Sequence, residues 1–318
     1  IYLIGFGKGS AGISKLIEET LGDRLTEGYC IDVREEAFSK IKFTLGTHPL
    51  PTEANFTFTK DVTDRFSSLS EKDLVLVVIC GGGSVMFARP EKISHETLIS
   101  VNKALLHSGA DILEMNTVRK HLDAVKGGGL AQLLHPGTVV SLIFSDVPGN
   151  DLSFIASGPT VKDTTTTEDA FKLLETYKIR DQVDLKDEDF LETPKEDSIF
   201  EKVHNCIMVS NVTALDAMKD KALKLGVHVL NHSDRVQGNA HEVAQTLIDA
   251  TKPGHLLLAA GETTIKIEGE GGKGGRNQEL ILSTLLTIDE GTTIVSVASD
   301  GQDNSDHAGA VGDSISRH

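Results

Sequence analysis

Apolar positions along this chain fall into two alternating patterns. Short runs of mostly apolar residues at 1–6, 29–33, 73–80, 138–144, 206–209, 227–230, 255–260, 264–267 and 292–298 read as strands. The run 73–80, DLVLVVIC, has no polar residue after Asp73, which marks a parallel strand covered on both faces. Between these runs, helical spacing covers 13–21, 53–70, 95–108, 111–124, 164–178, 214–225, 239–251 and the stretch from Leu280 onward. Gly109 and Gly226 stop two of these helices. Strand–turn–helix alternation of this kind predicts an α/β fold built on a parallel sheet. The segment 181–202 is strongly charged, contains Pro194 and has no period, so it reads as a linker. It divides the chain into domains 1–198 and 199–318.

The turns that follow the strands are rich in glycine and small polar residues. Lys8, Ser84, Asp146, Asn211, Glu262 and Asp300 all fall at expected strand carboxyl ends, the edge where open α/β sheets bind ligands. The first turn, GKGSAG, carries Gly7, Gly9 and Gly12 in G-x-G-x-x-G spacing, with Asp32 placed 20 residues beyond Gly12. That pattern fits a dinucleotide, and equally any anion bound at a strand-to-helix turn, where Lys8 would touch a phosphate or carboxylate. Gly81-Gly82-Gly83-Ser84 reads as a phosphate-cradling turn. Met86 stands where a hydrolase nucleophile elbow needs glycine. Asn116, Arg119 and Lys120 lie near one helix face, Lys126 precedes three glycines, and Ser157-Gly158 forms another small turn, so Asn116, Lys120, Lys126, Ser157 and Gly158 are candidate contacts. His48, in the Pro-rich turn GTHPLPT, reads as structural or solvated.

The stretch 269–279, GEGGKGGRNQE, is a glycine loop feeding a helix start. Unpaired N–H groups and the positive dipole end suit an anion there. Lys273 and Arg276 strengthen that reading, and Gly274, Gly275 and Asn277 join the candidate site. In DGQDNSD, Asp300 and Asp303 make a plausible hard-cation site with Glu262 and Asp146, whereas Asp306 reads as an exposed turn residue. No CxxC, HExxH or Walker A pattern occurs, and the 12 histidines have no metal-ligand spacing.

Composition narrows the partners. The 318 residues carry a formal charge of −16, with 39% hydrophobic and 25% charged residues. An acidic chain argues against nucleic acid and anionic membranes, and no apolar run approaches the roughly 20 residues of a spanning helix. Cys30, Cys80 and Cys206 are far apart and flanked by apolar residues, which suggests reduced, buried thiols in a cytoplasmic compartment. The first residues already lie inside a strand and the last follow closely on a site loop, so flanking sequence is expected at both ends.

Six blocks in order, IYLIGFGKGSAG, DLVLVVICGGGS, SGADILEMNTVRKHLDAVKGGGLA, SLIFSDVPGNDLSFIASGPTVKD, GETTIKIEGEGGKGGRNQEL and ASDGQDNSDHAGAVGD, resemble the glycerate 2-kinase family, whose carboxyl-terminal part is called MOFRL. The resemblance implies a Rossmann-like amino-terminal domain, a smaller mixed α/β domain, and an active site in the cleft between them. It implies phosphorylation of D-glycerate to 2-phosphoglycerate with ATP and Mg²⁺, and it admits a homodimer. By block match it puts Lys8 and Arg276 at the reacting phosphate and glycerate. In the last block Gln302 and Asn304 stand within what the family writes as Asp-Gly-Ile-Asp-Gly. Two alternatives remain open on the residues themselves. Gly7, Gly9, Gly12 and Asp32 would suit an NAD(P)H-dependent hydroxypyruvate reductase, and the anion loops alone would suit a non-catalytic sensor of a phosphorylated metabolite.

Overall fold

The computed structural model describes residues 1–180, 182–267, 269 and 271–317. The chain forms two compact units, one of 1–146 and 150–209, the other of 147–149 with the chain from Ser210 onward.

The first unit follows the order β1 (Tyr2–Phe6), α1 (Ser10–Leu21), β2 (Glu27–Asp32), β3 (Ile41–Leu45), α2 (Glu53–Arg65), β4 (Leu74–Ile79), α3 (Gly83–Met86), α4 (His95–Ser108), α5 (Ile112–Lys120), α6 (Gly129–Leu134), β5 (Thr138–Phe144), α7 (Thr167–Thr176) and β6 (Val203–Val209). The strands form one parallel sheet in the order β3-β2-β1-β4-β5-β6. This is the doubly wound arrangement, with the strand order reversing between β1 and β4. The apolar run of β4 is buried as its lack of alternation predicts: Val75, Val77 and Val78 are fully covered. Side chains cap the helices where the sequence supplies them, as in the reciprocal box of Asp111 and Glu114 that opens α5.

Of the segment expected to be a linker, residue 181 lies outside the described residues and 182–202 pack into the first unit. Leu185 and Phe190 are buried in the cluster built by Val101, Leu105, Val118, Leu122 and Leu174. Phe190 also packs on Phe171 at a centroid distance of 4.3 Å, and Leu191 N donates to His121 O at 2.8 Å. Two apolar anchors among many charges tie the segment down. The first unit then continues past the 198/199 boundary, because β6 pairs with β5.

The second unit contains α8 (Asn211–Lys224), β7 (His228–Asn239), α9 (Ala240–Ala250), β8 (His255–Thr264), α10 (Arg276–Thr284), β9 (Thr293–Val297) and β10 (Gly309–Asp313). β7 and β8 pair in parallel, and β9 and β10 form an antiparallel pair. α9 and α10 share a core of Ala240, Val243, Ala244, Leu280 and Ile281. Gly261-Glu262-Thr263-Thr264, read as a turn, lies inside β8, because register shifts in β7 near Ser233 let pairing continue to Asn239 and Thr264. Strand structure ends there, so the strand expected at 264–267 does not form. Cys30 and Cys80 are buried free thiols, while Cys206 is exposed on β6. Among the described residues no helix is long and apolar enough to cross a membrane.

Candidate active site

The switch point places two turns side by side. Phe6 of β1 is in register with Ile79 of β4, so both strands end together. Cys80 N donates to Phe6 O at 3.0 Å, and Lys8 N donates to Gly81 O at 2.8 Å. Gly7 sits at φ 105°, and a Cβ there would overlap the Cys80 carbonyl, so only glycine lets the turns approach this closely. Lys8 is exposed, and its ammonium finds no hydrogen-bond partner among the described residues.

Asp32 completes the first turn from β2. It is buried, and its Oδ2 accepts from Gly9 N and Ala11 N, each at 2.9 Å. Oδ1 accepts from Val33 N at 2.6 Å. A carboxylate committed to the start of α1 is an internal cap and offers nothing to a cofactor ribose. Asp32→Asn should therefore lower stability by about 1–2 kcal/mol, through a weaker, uncharged acceptor at a helix start. Urea unfolding measures this, and an unchanged midpoint would rule out the capping role.

The second turn, 81–84, is walled by residues of four segments. A Cβ on Gly81 would overlap the Asp146 carboxylate that follows β5. Gly82, at φ 76°, faces His48 from the β3–α2 loop, with its Cβ position 2.9 Å from His48 Cδ2 and 3.2 Å from Nε2. Gly83 packs against Phe6 and Ala156. Ser84 Oγ lies 2.8 Å from Ser157 Oγ, and Ser157 Oγ donates to Asn116 Oδ1 at 2.8 Å. Since a hydroxyl has one hydrogen, Ser84 is then the donor to Ser157. Asn116 is buried and its Nδ2 has no partner. Ala156, Ser157 and Gly158 all adopt positive φ, at 51°, 62° and 62°. Two non-glycine residues in that region cost of order 1–3 kcal/mol each and cluster at ligand sites. Cys80, beside the turn, is no nucleophile: burial pushes its thiol up to about 12.

Lys120 and Lys126 flank the Ser157-Gly158 turn, where Gly127 N donates to Ser157 O at 3.0 Å and Gly128 N to Gly158 O at 2.8 Å. Lys120 is buried with its ammonium 3.0 Å from Asp163 Oδ1. Lys126 is buried too, 2.5 Å from Asp123 Oδ2 and 3.2 Å from Phe87 O. Burial pulls the Lys126 ammonium below its ordinary pKa, and Asp123 opposes that shift. Both lysines are structural ion-pair partners here, their charges satisfied inside the unit.

In the second unit, Arg276 opens α10 and donates to Glu262 Oε1 at 2.6 Å and to Thr263 O at 3.2 Å. Gly274 and Gly275 precede it, and Gly274 O accepts from Asn304 Nδ2 at 3.2 Å. The helix start is already filled. Asp303 Oδ1 accepts from Asn277 N at 3.1 Å and from Asn277 Nδ2 at 3.0 Å, and Oδ2 accepts from Gln278 N at 2.8 Å. Burial pushes the Asp303 carboxyl up, but these donors outweigh it and hold the group below the usual carboxylate range. Asp300 is exposed, with Oδ1 accepting from Gln302 N at 3.1 Å. Among the described residues no group of three or more His, Cys, Asp or Glu is arranged to hold a metal ion. Asp303 and Glu262 are each engaged by N–H donors within the second unit.

Residues 1–192 match the family described as a domain of unknown function, DUF4147, and residues 255–317 match the MOFRL family. The chain is 38% identical to a protein of Pyrococcus horikoshii named glycerate 2-kinase, over 98% of this chain and 76% of that one. This chain belongs to the glycerate 2-kinase family. A solved structure titled glycerate kinase, from Thermotoga maritima, superposes with a TM-score of 0.88 at 34% identity, covering 98% of this chain and 78% of the other. A relative in Agrobacterium vitis, 34% identical over 94% of this chain and 71% of its own length, is named a putative hydroxypyruvate reductase. Within this family, His48 is the residue that sequence reasoning set aside and the geometry brings to the switch point. Its place just after β3 became visible only once that strand was seen to pair with β2.

Proposed function

We propose that this protein transfers the γ-phosphoryl group of ATP to D-glycerate, giving 2-phosphoglycerate. Membership of the glycerate 2-kinase family along nearly the whole chain supports that reaction. The observation that carries the site is Lys8, its backbone bonded to Gly81 at the switch of the sheet and its exposed ammonium without a hydrogen-bond partner among the described residues. Phosphoryl transfer needs charge stabilisation and positioning more than covalent chemistry. Lys8 supplies a cation for the transferred group. Gly81, Gly82 and Gly83 supply close backbone approach, and Ser84, tied through Ser157 to Asn116, gives that turn a fixed shape. The family resemblance adds Arg276, whose planar fork can hold two oxygens of a carboxylate or phosphoryl group. Mg²⁺ enters with the nucleotide phosphates, as it commonly does, and no step is assigned to the four acidic side chains. Cys30, Cys80 and Cys206, all free, fit a reducing cytoplasm.

The reductase reading loses its main support in Asp32, which caps α1. One experiment separates the two. D-Glycerate with Mg-ATP, followed by phosphorus NMR, should give 2-phosphoglycerate, while hydroxypyruvate with NADH or NADPH should give no oxidation above background. Cofactor oxidation without phosphoryl transfer would reverse the assignment.

A further inference from the structure

We infer that His48 is a catalytic residue, taking the proton from the glycerate hydroxyl as that oxygen attacks phosphorus. The inference rests on the kinase reading above and goes beyond it, since neither family resemblance nor sequence pattern picks out this side chain.

Three observations converge. His48 lies beyond β3 and packs its Cδ2–Nε2 edge against Gly82, in the turn assigned to phosphate. A Cβ at position 82 would stand 3.2 Å from Nε2, so the absence of a side chain there is what admits the ring. Apart from the edge against Gly82 the residue is exposed, and neither ring nitrogen has a hydrogen-bond partner among the described residues, which leaves a nitrogen for a ligand. The charged neighbours are Lys8 from the β1–α1 turn and Asp146 from the end of β5. The β4–α3 turn contributes only backbone, and Glu53, at the start of α2, holds His95 Nδ1 at 3.1 Å. Partial burial, reinforced by the Lys8 charge and opposed by Asp146, holds His48 below its ordinary pKa. The shift favours the neutral imidazole, the form that can accept a proton.

The chemistry balances. The hydroxyl oxygen forms a bond to the γ-phosphorus, and the bond from that phosphorus to the bridging oxygen breaks. ADP leaves with the electron pair, and the hydroxyl proton moves to His48 and then to water. Lys8 has a double effect here: its charge attracts the phosphoryl oxygens and also disfavours a protonated His48 before reaction.

The test uses His48→Asn and His48→Gln in the full chain. Loss of a general base should lower kcat about 10²- to 10⁴-fold, with KM for ATP changed less than threefold. In the parent, kcat/KM should fall as pH drops below ~6.5, the ordinary histidine value, and both variants should lose that acid limb. Proton NMR of the parent should show one Cε1–H signal, missing in His48→Asn, that titrates below the same value. Activity within threefold of the parent, a retained acid limb, or a His48 signal titrating at or above ~6.5 would overturn the role. A parent that makes no 2-phosphoglycerate overturns both this role and the kinase assignment. An active parent with an indifferent His48 overturns this role alone.

Discussion

Replacing Lys8 with alanine should lower kcat/KM for glycerate phosphorylation by at least ~100-fold, or about 2.7 kcal/mol of transition-state binding. The expectation follows from a division between backbone and side chain. The Lys8 backbone is bonded to Gly81, and its neighbour Gly9 is bonded to Asp32. The Lys8 side chain is exposed and makes no hydrogen bond among the described residues. Alanine therefore removes the charge and leaves the turn in place. The melting temperature should stay within a degree or two while steady-state activity collapses. Activity within threefold of the parent at unchanged stability would remove Lys8 from the reacting groups.

Asp123→Ala should cost stability on a scale of ~3–5 kcal/mol, because it strands a buried ammonium. Asp123 Oδ2 holds Lys126, and Oδ1 accepts from Arg89 N and Val125 N, each at 3.1 Å. Removing the carboxylate leaves Lys126 with Phe87 O as its remaining acceptor in a buried site. Urea unfolding should show the loss directly. A second change, Lys126→Met, should recover part of it by removing the stranded charge, although the two backbone donors would stay unsatisfied. A loss below ~1 kcal/mol in the single variant would mean that Lys126 finds water or moves out.

These variants also mark where the sequence was informative. The unbroken apolar run of β4 and the capping box before α5 are local signals, and both elements form as expected. Strand order is not local. β1 lies between β2 and β4, so its placement depends on pairings across 25 and 73 residues that no period encodes. β3 and β10 went unread because both are short. β3 carries Lys42 and Thr44 at alternate positions, and β10 contains Gly309 and Gly312. In 181–202 the charges hid Leu185 and Phe190, two residues that decide whether the segment packs.

The site divides in the same way. Glycine turns at strand ends were legible, and the two after β1 and β4 do meet at the switch point. Charges were harder to assign, because a lysine or aspartate beside glycines reads alike whether its partner is a ligand or another part of the fold. Lys120, Lys126, Asp32 and Asp303 all proved to have partners within the protein. His48 was missed for the opposite reason: a loop histidine has no periodicity to mark it, and only the approach of Gly82 reveals its surroundings.

The bond between Lys8 N and Gly81 O has an entropic consequence. A lysine on a freely moving loop would lose backbone freedom at each binding event, at roughly 1–2 kcal/mol per residue ordered. Here the backbone ordering is completed during folding. What remains for a ligand to immobilise is the side chain alone, whose full rotamer entropy is ~2 kcal/mol. With Lys8 in the role proposed for it, the same arrangement would let the ammonium follow a phosphoryl group as it moves between donor and acceptor, with rotation confined to the four side-chain torsions and the sheet beneath left undisturbed.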